Sequence, residues 1–375
     1  MARALDLVVF GATGFTGRLV AEYLSSHAPE RLRWAVAGRD PQRLESLRRG
    51  LAAEPEIRVA DVSDPASLER LAAETRVLVT TVGPYMQFGE PVVAACAAAG
   101  THYLDITGEP AFVSRSIAAY DAIARESGAV IVHCCGFDSI PADLGALFTV
   151  HQLPGPGPKT VHGLVQASGS PSGGTWASLL EAMGAPGRPP RKASERSGPR
   201  THTPAVRWEP ELNRWAVKLP VIDPVIVRRT ARARVELYGE GFTYHHLLAV
   251  RGLRHLAGLG VGVGVLGAAA KVPAARRWLK QLRPAGTGPD AEVRSTGWFR
   301  LTFVGRSPTH RVVCEVSGGD PGYTETSRML SECALLLALG EAPAGGVQTP
   351  GVAFGMAGVE RLQRAGIRFE VLPGG

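Results

Sequence analysis

The residues best placed to do chemistry come early. Leu7-Val8-Val9-Phe10 is a short apolar run, and Gly11-Ala12-Thr13-Gly14-Phe15-Thr16-Gly17 follows it as G-x-x-G-x-x-G, opening a helix-like segment. In a strand-turn-helix setting, glycines permit the tight turn and let the backbone approach a pyrophosphate, whose charge is held at the helix N-terminus. The pattern points to a dinucleotide. The next apolar run ends Ala37-Gly38-Arg39-Asp40. An NAD site usually carries an acid at this strand tip for the ribose hydroxyls. Here Arg39 offers a guanidinium fork for a 2′-phosphate, so NADP is favoured. Asp40 is left with two readings, a ribose contact or the cap of a helix opening at Pro41.

Two later loops fall where strands of such a sheet deliver ligand-facing residues. Val82-Gly83-Pro84-Tyr85 should run beneath ribose and nicotinamide, and Gly136-Phe137-Asp138-Ser139 should face the same edge. Asp138 and Ser139 have capping of the next helix as an equal alternative. For a reduction that ends in protonation, Tyr85 is the first candidate donor or carbonyl partner. His133 is the second, although a histidine inside an apolar strand is more often a satisfied core residue. Cys134 and Cys135 are adjacent, but hydride transfer needs no nucleophile, so they are read as packing.

These loops need a scaffold, and the first 150 residues supply its pattern. Strand-like runs at Leu5–Phe10, Arg33–Ala37, Ile57–Ala60, Val77–Thr81, His102–Asp105 and Ala129–Cys134 alternate with helix-like segments. That alternation predicts an α/β fold, a Rossmann doubly wound parallel sheet. Asp40-Pro41 and Asp64-Pro65 each put an acid before a proline, the pattern of a capped helix start. Residues 345–375 are expected to return and complete this domain, through a helix opening at Thr349-Pro350 and a strand at Arg368–Leu372. Residues 151–344 are expected to form a second, α+β substrate domain. It would have an antiparallel sheet with strands near Val161–Ala167, Val225–Val227, Gly297–Val304 and Arg311–Ser317, and a helix at Thr324–Leu339. Within it Ser172, Gly173 and Thr175 precede a short helix from Trp176 to Met183, as substrate contacts or as caps. Residues 184–204 form a basic, proline-rich loop.

Composition sets outer bounds. With 45% hydrophobic and 20% charged residues in 375, the chain can bury a sizeable core. A net charge of +7 permits weak attraction to acidic partners such as carrier proteins or anionic lipid, with a plain arginine-rich composition as the favoured alternative. No RNA-binding aromatic motif or zinc-ligand spacing points to nucleic acid. Five cysteines, an odd number without a C-x-x-C pair, argue against disulfides or zinc and for a reducing cytoplasm. The run 256–270 carries no charge and has basic flanks. It is shorter than the roughly 20 residues of a spanning helix. Two readings stand: a buried helix or hairpin, or a peripheral contact with the inner face of a membrane or with a long acyl chain.

The blocks GATGFTG, VGPYMQFGEPVVAACAAAGTHYLDITGE and CCGFDSIPADLG together resemble the saccharopine-dehydrogenase-like oxidoreductases. SGGTWAS, PVIDPVIVRRTA, GDPGYTETSRML and GGVQTPGVAFG narrow the resemblance to the trans-acting enoyl reductase branch. The likeness spans nearly the whole chain. It implies a second domain of saccharopine-reductase type and an NADPH-dependent reductase of an activated double bond in a lipid- or polyketide-like intermediate, free or held on a carrier protein or synthase. An imine or carbonyl reductase shares the hydride step. A non-catalytic NADP sensor and a membrane-associated protein are the alternatives of another class.

Overall fold

A computed structural model describes residues 3–155, 157–168, 205–250, 252–282 and 287–373, with 176, 180 and 183 also in helix. The described strands run in chain order β1 (Leu5–Phe10), β2 (Trp34–Gly38), β3 (Glu56–Val59), β4 (Thr75–Thr80), β5 (His102–Asp105) and β6 (Val130–Val132). They continue with β7 (Thr160–Ser168), β8 (Val206–Glu209), β9 (Arg214–Lys218), β10 (Thr243–Val250), β11 (Trp298–Arg306), β12 (Arg311–Gly318), β13 (Gly346–Gln348) and β14 (Arg368–Val371).

Two seven-stranded sheets result. The first has the order β13-β6-β5-β4-β1-β2-β3, and every pairing in it is parallel. The inner strands β1, β2 and β4 are short apolar runs buried on both faces, as a sheet sandwiched by crossover helices requires, while the edge strand β3 is partly exposed. Local signals start the helices. Asp40 accepts from the amides of Gln42 and Arg43, and Asp64 from that of Ser67, each before a proline in the first turn. Asp40 therefore has the capping job.

The second sheet has the order β14-β12-β11-β7-β10-β9-β8. It is mixed and not purely antiparallel, because β10 pairs parallel with β7. The helix Ile140–His151 links the sheets, with its Gly145 so close to Phe303 of β11 that a Cβ would fall 2.4 Å from the ring.

Four further expectations need correction. Val225–Val227 is not a strand but part of the helix Asp223–Ala233, whose Ile226, Val227, Thr230 and Ala231 form one buried face. The tail 345–375 does not all return to the first sheet: β13 extends it beside β6, whereas β14 pairs with β12 in the second. The helix Thr324–Leu339 is almost wholly buried and packs on β1, β4 and the helix Phe15–His27, so a segment assigned to the second domain covers the first sheet. Residues 256–270 lie in one helix, Leu253–Lys271, which is neither a hairpin nor buried: Val265 is 66% exposed. Ser172, Gly173, Thr175 and the loop 184–204 lie outside the described residues, as does most of the segment from Trp176 to Met183.

Candidate active site

Parallel topology brings the loops after β1, β2, β4, β5 and β6 to one edge of the first sheet. Gly11 takes a left-handed φ of +84° and its amide donates to Ala37 O at 2.9 Å. A Cβ there would meet Val82 Cγ2 at 2.7 Å, and a Cβ on Gly17 would stand 2.2 Å from Gly11 O. Both positions therefore require glycine, one for conformation and one for the close approach of helix to turn. Ala12 is buried, Thr13, Phe15 and Thr16 are half-buried, and Gly14 is exposed as the N-cap of Phe15–His27.

No side chain caps that helix. The helix Tyr85–Ala99, which starts nearby, is different: the Glu109 carboxylate accepts from the amides of Tyr85 and Met86, both at 3.0 Å. One helix start is thus neutralised by the protein's own anion, and the other leaves its amides for a ligand's. Arg39 is exposed just beyond β2, and its charge helps hold the Asp61 carboxyl below its ordinary range, after the bonds from Ser63. These residues fit a dinucleotide with a 2′-phosphate. An open depression of about 490 Å3 lined by Pro41, Gln42, Glu45, Ser46 and Arg49 is built by one helix alone and includes none of these loop residues.

The two residues expected to move protons have other work. Tyr85 is buried; its hydroxyl donates to Thr80 O at 3.1 Å and accepts from Ile106 N at 3.4 Å. Burial, then the charge of Asp105, pushes the phenol well above its usual range. His133 is 1% exposed, with Nδ1 2.6 Å from Asp105 Oδ2 and Nε2 2.8 Å from Ser116 Oγ. Both ring nitrogens are committed. Asp105 also accepts from Tyr103 Oη and from the amides of Thr107 and Cys134, which fixes the ends of β5 and β6. Cys134 and Cys135 are buried, and all five cysteines are free.

Asp138 has a different character. It is half-buried in the loop after β6, and its Oδ1 lies 3.1 Å from where a Cβ on Gly108 would stand. Burial, then the nearby Asp105, raises its carboxyl to about 6. Neither it nor Ser139 caps the following helix through its side chain; the Ser139 hydroxyl donates to Asp138 O. Gly136 and Phe137 seat the loop on the helix Thr324–Leu339, where the Phe137 amide donates to Thr326 Oγ1 at 3.0 Å. Val82 is half-buried, while Gly83 and Pro84, joined by a cis peptide, are exposed at the mouth.

Residues missed in the sequence complete the surroundings. Asp223 is buried at the start of its helix, and burial raises its carboxyl well above the usual range, with Asp138 and Asp143 adding to the shift. Asp143 is also raised, to about 6, by burial, against bonds from Thr230 and the Gly351 amide. The pair Asp223-Pro224, the same acid-proline signature as at Pro41 and Pro65, was the available signal for that helix. On the other flank Phe15 meets Tyr323 edge-on at 4.8 Å, and the Arg294 guanidinium sits 5.4 Å from its ring centre.

A glycine cradle and uncapped helix start on a parallel sheet, beside a second mixed sheet, define a two-sheet oxidoreductase of Rossmann type. The profile of the saccharopine dehydrogenase NADP binding domain matches residues 7–132. The trans-acting enoyl reductase of Mycobacterium tuberculosis is 34% identical, covering 97% of each chain. A second protein of that organism, provisionally given the same name, is 38% identical over 98% of this chain and 97% of its own. An Arabidopsis thaliana protein, provisionally a mitochondrial saccharopine dehydrogenase-like oxidoreductase, is 32% identical over 98% of this chain and 96% of its own. Saccharopine dehydrogenase (L-Glu forming) of Saccharomyces cerevisiae shares the fold, with a TM-score of 0.56 at 12% identity over 98% of this chain and 99% of that one. The chain belongs to the saccharopine dehydrogenase-like oxidoreductase family. It carries that family's NADP-binding domain and is an NADP-dependent oxidoreductase.

Proposed function

We propose that the protein reduces the activated C=C bond of an enoyl thioester of lipid or polyketide type, free or held by a partner synthase, with Asp138 giving the proton to the α-carbon. The names of the relatives support the substrate class. The single observation that carries the role is the Asp138 carboxyl, raised to about 6 at the ligand-facing edge. When bound, NADPH supplies the hydride; the chain has to orient, exclude water and deliver a proton. Gly11, Gly14 and Gly17 receive the pyrophosphate and Arg39 the 2′-phosphate. Val82, Gly83, Pro84, Gly136 and Phe137 wall the nicotinamide side. A carboxyl with a pKa near working pH is suited to proton transfer. Ser172, Gly173 and Thr175 remain proposed substrate contacts, and five free cysteines fit a reducing compartment such as the cytoplasm.

The test is NADPH consumption by the purified protein against enoyl thioesters, ketones and cyclic imines, with NADPH binding measured alongside. Oxidation dependent on an enoyl thioester, giving a saturated product, supports the reading. Turnover on imines or ketones alone replaces it with imine or carbonyl reduction. Tight binding without turnover on free or carrier-loaded substrates makes the protein a sensor.

A further inference from the structure

The longest acid-free stretch near the mouth is unused by this chemistry. Between Glu240 and Asp290 the chain holds seven lysines and arginines and no acid. Within it the helix Leu253–Lys271 leads directly to a second, Pro273–Gln281, and the two pack together. Large apolar side chains face outward: Val265 is 66%, Val272 52%, Trp278 60% and Leu282 55% exposed. Arg254, Lys271 and Arg277 are exposed beside them. Isolated exposed apolar residues need no explanation, but a run of them that includes an outward tryptophan and is rimmed by one sign of charge does.

We propose that these two helices are a docking surface for an anionic lipid bilayer, lying among its headgroups and not crossing its core. Among the described residues no helix is long and apolar enough to cross a membrane. The second helix, with Arg276, Arg277 and Lys280 around Trp278 and Leu279 in sequence, has the amphipathic make-up of a helix lying in the interface. The charge pattern selects the partner: cations stand at both ends of the first helix, at Arg254 and Lys271, and none lies between. One headgroup layer that takes both ends of the helix, with acyl chains beneath its uncharged middle, matches that spacing, whereas the dispersed acids of a folded carrier call for cations spread over the face. An exposed tryptophan beside basic residues is likewise an interfacial anchor.

The surface is joined to the cradle. Trp176 donates through its indole N–H to Leu279 O at 2.8 Å, which ties the second helix to the segment that follows Ser172 and Thr175. Beyond Leu282, Thr287 accepts from the Tyr323 hydroxyl at 3.1 Å, and Gly288 lies so close to Phe15 that a Cβ would come within 2.3 Å of its ring. A chain lifted from the bilayer would enter beside the glycine loop.

Docking does not depend on what the site reduces, so vesicle binding is read separately from turnover. The full-length protein is sedimented with phosphatidylcholine vesicles and with vesicles containing phosphatidylglycerol. Binding is expected to the second alone, falling as salt rises. Charge reversal of two residues, Lys271→Glu with Arg277→Glu, should lower partitioning at least about tenfold, and Trp278→Ser should weaken it at all salt concentrations, with NADPH affinity unchanged in both. No binding to anionic vesicles at low salt, equal binding by wild type and variants, or capture by an acidic acyl carrier protein without vesicle binding would each overturn the proposal.

Discussion

Two carboxylates in this molecule have opposite surroundings. Glu209, on β8 of the second sheet, is fully buried beside Arg207, Arg306 and His162, with Nη2 of Arg306 at 3.0 Å and Nη2 of Arg207 at 3.1 Å. Burial works to raise it, yet its hydrogen bonds with His162, Glu211 and Arg306 hold it down at about 2. Asp138 has no ion pair among those found in the described residues, and burial with Asp105 lifts it to about 6. The second sheet places its cations against acids; the first sheet leaves an acid without one at the edge proposed to hold the cofactor. A carboxyl shifted toward working pH is a tool, and one locked below it is a strut.

Substitutions can break that comparison. Asp138→Asn should lower kcat by about 100- to 10,000-fold while leaving NADPH affinity intact. In the wild type kcat/KM should fall as pH rises through about 6, and the variant should lose that limb. A variant with wild-type turnover makes Asp138 a bystander. Glu209→Gln should do the reverse, costing about 3 kcal/mol in urea unfolding because its arginines stay half-buried without their anion, with kcat little changed. Arg39 is a third kind, a cation exposed at the mouth. Arg39→Ala should weaken NADPH by about 10- to 100-fold and NADH hardly at all. Equal losses would sink the 2′-phosphate assignment.

The smaller effects sharpen the contrast. Asp143 has a folded-state pKa raised above the unfolded value, so its contribution is complete below about 3.8 and is lost as pH rises through about 6. Asp143→Asn should remove that loss, on the order of 1–3 kcal/mol between wild-type curves at low and neutral pH. Glu209 has the opposite sign: its contribution is present above about 4.5 and lost as pH falls toward 2. Asp40, satisfied by backbone amides, is a plain cap. Asp40→Ala should cost about 1 kcal/mol of stability and leave the preference for NADPH over NADH unchanged.

The cradle was legible because its causes are local. A turn glycine, an apolar run and an acid before proline act over a few residues, and the six early strands fall within two residues of their expected ends. The second sheet was less legible. Val225–Val227 is β-branched, but its helix is set by Asp223-Pro224 and by the bond from Thr230 to Asp143, far away in the sequence. β8, β9 and β10 were missed as well: β10 pairs with β7 and β9 across long insertions, whereas β8 and β9 form a local hairpin whose short, half-exposed strands carry no clear alternation. Proton donors were hardest of all. Nothing in the string around Tyr85 or His133 says that Thr80 O, Asp105 and Ser116 have already taken their polar atoms, and Asp138 stands out only once Asp105 and Asp223 are beside it.

The divided tail has a consequence for biosynthesis. Without β13, β6 is a bare edge of the first sheet; without β14, β12 is a bare edge of the second. On the ribosome β6, and then β12 once it is made, wait for β13 and β14, so the nearly complete chain presents two templates for wrong pairing at once. A chain truncated before Gly346 should aggregate on release, although every residue of the glycine cradle is present in it.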